Sequence, residues 1–87
     1  MKPLPEYLAI VSGPDGFFIQ GTFRRLEENR IRSRVTEYWQ DKPVPRWICA
    51  EMRHLAKRFA SHAHAASYIE ANERNLDPDV NESVAYR

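Results

Sequence analysis

The sequence predicts an α+β domain: a three-stranded antiparallel meander over residues 7–39, followed by one or two C-terminal helices packed on one face. Three observations carry this. Residues 7–12 and 17–23 are β-rich runs separated by Gly13-Pro14-Asp15-Gly16. Residues 30–39 alternate, with Arg30, Arg32 and Arg34 on one face of an extended strand and Ile31, Val35 and Trp39 on the other. From Trp47 onward Ile48, Met52, Leu55, Phe59, His62, Ala66 and Ile69 recur at spacings of four and three, the period of one helical face.

The first two runs read as a β-hairpin. Pro14 pre-sets the first turn position and Gly16 can take positive φ. In the second strand Phe17, Ile19 and Phe23 share one face while Phe18, Gln20 and Thr22 share the other, and Gly21 marks either a bulge or the close approach of another segment. The polar stretch Leu26-Glu27-Glu28-Asn29, with Asn29 able to adopt a left-handed conformation, returns the chain into the third strand. Residues 41–46 contain Pro43 and Pro45, which remove ladder donors, so they read as a linker into a helix.

The helical region has three readings: one long helix, two helices broken near Ser61, or a fourth strand over 54–59 with Ser61 opening a single helix. Ser61 is the predicted N-cap of a helix over 62–74, and Asn75, Asp77 and Pro78 mark its end. Residues 1–75 form the expected compact domain, and 76–87 an acidic, flexible tail.

Eighty-seven residues suffice for one small core without disulfides or a metal. At 43% hydrophobic, with ten aromatic residues and a net charge of +1, the chain is not that of a disordered protein. The single cysteine, Cys49, forms no intrachain disulfide and fits a reducing compartment. The apolar run after Tyr7 is too short for a secretory signal and no segment is long enough to cross a bilayer, so the expected location is the cytoplasm. Residues 24–58 carry ten basic and five acidic side chains, whereas 59–87 carry two and five. Ten of the thirteen basic residues are arginine, whose planar fork suits phosphate and carboxylate.

The candidate binding residues follow from that charge. Successive arginines on one strand face stand about 6.5 to 7 Å apart, close to the interval between phosphates or acidic side chains on a partner. Arg24 on the neighbouring strand, with Phe18 and Tyr38 on the same polar face, completes a basic platform with exposed rings, a surface suited to nucleic acid. Arg53, Lys57 and Arg58 form a second basic cluster, which an amphipathic helix would also place on its solvent side. Phe17, Phe18, Trp39 and Trp47 exceed what a three-stranded core needs; either some of them form an exposed hot spot, or Trp39 and Trp47 close a one-sided core.

Chemistry is weakly signalled. His54, His62 and His64 lack the spacing of a two-histidine metal site, even with Cys49 added, so no metal or cofactor is expected. Cys49 is expected to be small, buried and inert, and His62 to lie partly buried on the core face. Glu51 and His54, an i to i+3 pair, are the nominees for acid/base work with an arginine, as in small ribonuclease toxins.

Three-stranded sheets backed by a C-terminal helix also occur in plant-type transcription factor domains and in the arm-binding domains of phage integrases, where the open face meets DNA; the similarity is to an order of elements. Small motif-free domains are likewise common among phage and plasmid accessory proteins, including inhibitors of host defence such as anti-CRISPR proteins. The expectation is a non-enzymatic binding protein for nucleic acid or the acidic surface of a nucleic-acid-handling complex, without membrane or small-molecule partner. The alternatives are a small ribonuclease and an oligomerising module, with a homodimer possible.

Overall fold

The computed structural model describes residues 3–26 and 32–77. Four strands, β1 (Leu8–Gly13), β2 (Gly16–Leu26), β3 (Arg32–Gln40) and β4 (Arg46–Cys49), form one antiparallel sheet in the order β1-β2-β3-β4. A short 3-10 helix (Ala50–Leu55) and α1 (His62–Leu76) complete the fold. The α+β class holds, with four strands in place of three.

The first hairpin closes at the Gly13–Gly16 pair, leaving Pro14 and Asp15 as the turn, and Gly16 has φ of 134°, where a side chain would be strained. Residues 27–29, expected to turn into the third strand, lie outside the described residues. Gly21 marks a close approach: a Cβ there would stand 2.7 Å from both Phe23 Cε1 and Trp47 Cη2.

The fourth strand is where the helical reading fails. Both prolines fall in the turn at 41–45, and the ladder resumes at Arg46, immediately after Pro45. Trp47 then pairs with Trp39 and Ile48 with Tyr38, so neighbouring residues serve opposite faces of a strand. The three-and-four spacing of 48–59 therefore does not mark one helix; Leu55, placed by it on the core face, is 45% exposed. The alternative strand at 54–59 contracts to a single bridge between Phe17 and Phe59.

Apolar residues cover both sides of the sheet unequally. On one side Leu8, Ile19, Phe23, Trp39 and Trp47 pack with Phe59 and with Ala65, Ile69 and Leu76 of α1. On the other, Phe18, Tyr38 and Ile48 are capped by Ala56 with Met52 and Val11 alongside. The chain passes from one cluster to the other around the sheet end: Lys57 N–H donates to the Trp39 carbonyl, and Phe17 and Phe59 exchange both backbone bonds at 3.0 and 2.9 Å.

Ser61 caps α1 as expected, its hydroxyl accepting from the His64 N–H at 3.1 Å. The helix runs on to Leu76, which is fully buried and whose carbonyl accepts from Trp47 Nε1 at 3.0 Å. Leu76 thus belongs to the core and not to a tail, and residues 78–87 lie outside the described ones. Two further expectations are corrected. Cys49 is exposed because it ends β4 where nothing covers it among the described residues, and His62 is exposed because the first turn of α1 directs Ala65 to the core. Among the described residues no helix is long and apolar enough to cross a membrane.

Candidate nucleic-acid interface

Strand register decides which arginines share a face. Arg24 of β2 and Arg34 of β3 are Cα partners, and both are exposed. Side chains directly opposite on one sheet face stand about 4.5–5.5 Å apart at Cβ, so the two arginines leave the sheet as near neighbours, an arrangement that like charge disfavours. Among the described residues neither is in an ion pair. Arg32 opens β3 opposite Leu26, and Arg30 lies outside the described residues. The backbone pairing therefore gathers Arg24 and Arg34 across two strands, and Thr22 and Thr36, also partners, continue the same face toward Gln20 and Tyr38.

The aromatic part of the platform is corrected. Phe18 and Tyr38 are only 5% and 8% exposed, because the 3-10 helix and Ala56 fold over them and they meet edge to face at 6.5 Å. Trp39 is fully buried under α1, between Trp47 and Tyr68, so it offers no contact surface. Of the two readings of the surplus aromatics, the core closed by Trp39 and Trp47 is the one observed.

The buried rings instead support guanidiniums. Arg58 Cζ lies 5.1 Å from the Phe18 ring centre and Arg53 Cζ 5.8 Å from that of Tyr38, within cation–π range. Arg58 is further fixed by two bonds from Nη1, to the His54 and Ala56 carbonyls at 3.0 Å each, and by Asp15, whose Oδ2 is 3.7 Å from Nε. Both arginines line a groove of about 490 Å³ between the β1–β2 turn and the 3-10 helix, together with Gln20, Glu51 and His54. Phe18 leans across the turn so closely that a Cβ at Gly13 would overlap its ring.

Lys57 is not part of this arrangement. Its ammonium lies 3.7 Å from Asp41 Oδ2 and over the rings of Phe59 and Tyr68, on the α1 side of the sheet. The physical reason is the crossing at 56–59, which separates Lys57 from Arg53, whereas a continuous helix would have kept them together. The same crossing delivers Arg58 to the groove, a role hidden in the sequence because it depends on where the chain rounds the sheet.

Glu51 and His54 do share the groove. The Glu51 carboxyl is held below its ordinary value by hydrogen bonds from its own backbone N–H and from the Cys49 side chain, so at neutral pH it is an acceptor and not a proton donor. Among the described residues no hydrogen bond joins it to His54, and no group of His, Cys, Asp and Glu is placed to hold a metal ion. What the face can do chemically is present guanidinium donors to anionic oxygens: the Arg24–Arg34 pair at one end, and Arg53 and Arg58 in the groove at the other. No protein-family model matches the chain, and no curated protein or solved structure matches it.

Proposed function

We propose that the protein is a non-enzymatic binding module that engages the phosphate backbone of nucleic acid through this arginine face. One observation carries the reading: two exposed arginines are held directly opposite one another on an open sheet face, with no acidic side chain paired to either among the described residues. Like charges so placed are relieved by an anion that bridges them. The groove arginines extend the same chemistry along β2, braced by rings that exclude water on one side. Because those rings are buried, base stacking drops out of the mechanism, and contact with phosphates leaves little base preference. The reading carries with it a cytoplasmic location and a regulatory or inhibitory role of the kind found in phage and plasmid accessory proteins.

The test is fluorescence anisotropy with labelled single- and double-stranded oligonucleotides over a salt series. Engagement of Arg24, Arg34, Arg53 and Arg58 predicts a logarithmic salt slope of about −3, since each neutralised phosphate contributes about −0.7 to −0.9. Exchanging Arg24 and Arg34 for glutamate should abolish binding at moderate salt. Binding that survives both the salt and the exchange overturns the proposal. If instead a protein is retained from nuclease-treated lysate and lost on the same exchange, the partner is an acidic surface of a nucleic-acid-handling complex.

A second reading has its own support: Glu51, His54 and Arg53 line one groove, the residue set of a small ribonuclease. RNA cleavage by the wild-type chain that disappears in His54→Ala would establish it over simple binding.

A further inference from the structure

Strand β1 is an edge of the sheet, and its outer side is unlike the other edge. The Thr22 N–H donates to the Tyr7 carbonyl at 2.9 Å, which fixes the alternation: Tyr7, Ala9, Val11 and Gly13 direct their backbone groups at β2, and Leu8, Ile10 and Ser12 direct theirs away. Leu8 N–H is taken by the Pro5 carbonyl at 3.0 Å. Among the described residues nothing takes the N–H of Ile10 or Ser12. The strand, Leu-Ala-Ile-Val-Ser-Gly, contains no charge and no proline, the two common devices that keep edges from pairing. At the opposite edge β4 has only four residues, includes Arg46 and turns directly into the 3-10 helix.

We infer that β1 pairs with β1 of a second copy of this chain, antiparallel about a two-fold axis through Ile10, giving one continuous sheet across the dimer. The hydrogen bonding is self-consistent. The two Ile10 residues exchange both bonds across the axis, and each Leu8 exchanges both with Ser12 of the other copy, its N–H leaving the Pro5 carbonyl for that of Ser12. Ile10, already packed against the α1-side cluster, meets its own copy there, and on the other face Ala9 meets Val11. An uncharged segment read against itself brings no like charges together. The short β4 edge cannot continue a head-to-tail series, so association closes at two copies.

The axis is perpendicular to the sheet, so both arginine faces look the same way and both α1 helices lie behind. A polyanion long enough to span the two copies would gain from their linkage, although the dimer itself does not depend on what the face binds.

Sedimentation analysis of the full chain over a concentration series tests the pairing, the expected species being twice the 10.2 kDa chain. Ser12 is exposed and its N–H serves no bond within the described chain, so Ser12→Pro should leave the thermal melt near that of wild type and weaken the dimer by about tenfold or more. Ile10→Cys in a Cys49→Ser background should cross-link on mild oxidation, because hydrogen-bonded partners stand about 5.5 Å apart at Cα, within disulfide reach. A monomer at every concentration overturns the inference, as does a dimer that neither cross-links through Ile10→Cys nor responds to Ser12→Pro. Should Ser12→Pro fail to fold, the cross-link decides.

Discussion

The buried indole of Trp39 donates from Nε1 to the hydroxyl oxygen of Tyr68 at 2.9 Å, and that hydroxyl donates in turn to Asp41 Oδ1, also at 2.9 Å. Lys57 closes the line at 3.7 Å from the other Asp41 oxygen. Four segments meet there: β3, the turn after it, the crossing at 56–59, and α1. Apolar burial alone would let a helix slide on a sheet, because it is non-directional. A donor fixed in the core and an acceptor fixed on the helix remove that freedom, and with it the ambiguity of where the sheet face opposite stays uncovered.

Tyr68→Phe should therefore destabilise the fold by about 1–3 kcal/mol at neutral pH, the cost of leaving the Trp39 N–H without its acceptor. Burial, reinforced by the neighbouring Asp41 carboxylate, raises the Tyr68 hydroxyl above its ordinary 10.0, against the opposing effect of the Trp39 bond. The folded state then holds this proton more tightly than the unfolded state. Its contribution is complete below pH 10 and declines as pH rises past that value. Urea denaturation of both proteins at neutral pH and above pH 10 checks this: the gap between them should narrow at the higher pH, and parallel profiles would contradict the assignment.

Gly21→Ala should cost about 1–3 kcal/mol even though alanine suits a strand better than glycine, because the added carbon has no space. Its neighbours, Phe23 and Trp47 at 2.7 Å, are rings in a packed cluster and not the free ends of flexible chains. In a domain of this size each kcal/mol lowers Tm by about 4–8 °C, so calorimetry resolves the effect. An unchanged Tm would mean that Trp47 can move without loss.

Ser61→Ala should cost about 1 kcal/mol, the usual value of an N-cap hydroxyl. The bond replaced is the one from the His64 N–H at 3.1 Å. Helical circular dichroism should weaken at the melting midpoint but not at low temperature, since α1 is held mainly by Ala65, Ile69 and Leu76.

How much of this was legible in the sequence depended on how local its cause was. Gly13-Pro14-Asp15-Gly16 and Ser61 act on their immediate neighbours, and both were readable, as was the alternation that puts Arg24 and Arg34 on one face. Residues 46–59 were not, because Ile48, Met52 and Leu55 satisfy a helical spacing as well as a strand followed by a 3-10 turn. The choice is made by distant residues: Trp39 pairs with Trp47, and Phe17 holds Phe59. Burial of Phe18 and Tyr38 has the same origin. Nothing in their own strands announces that Ala56 and Met52 will cover them.

The arginine pair offers a test in which stability and binding move in opposite directions. Arg24→Glu places a carboxylate opposite Arg34 and turns a like-charge contact into an attractive one, which should stabilise the fold by about 0.2–1 kcal/mol, more at low salt than at high. The same change should weaken oligonucleotide binding. Arg34→Glu should behave alike, and the double variant, with carboxylate facing carboxylate, should lose the added stability while binding stays lost. Chemical denaturation and anisotropy on the same samples separate the two effects. A site kept for packing would lose stability on reversal; one kept for a partner gives up stability in the free protein, and regains it when an anion lies between the two guanidiniums.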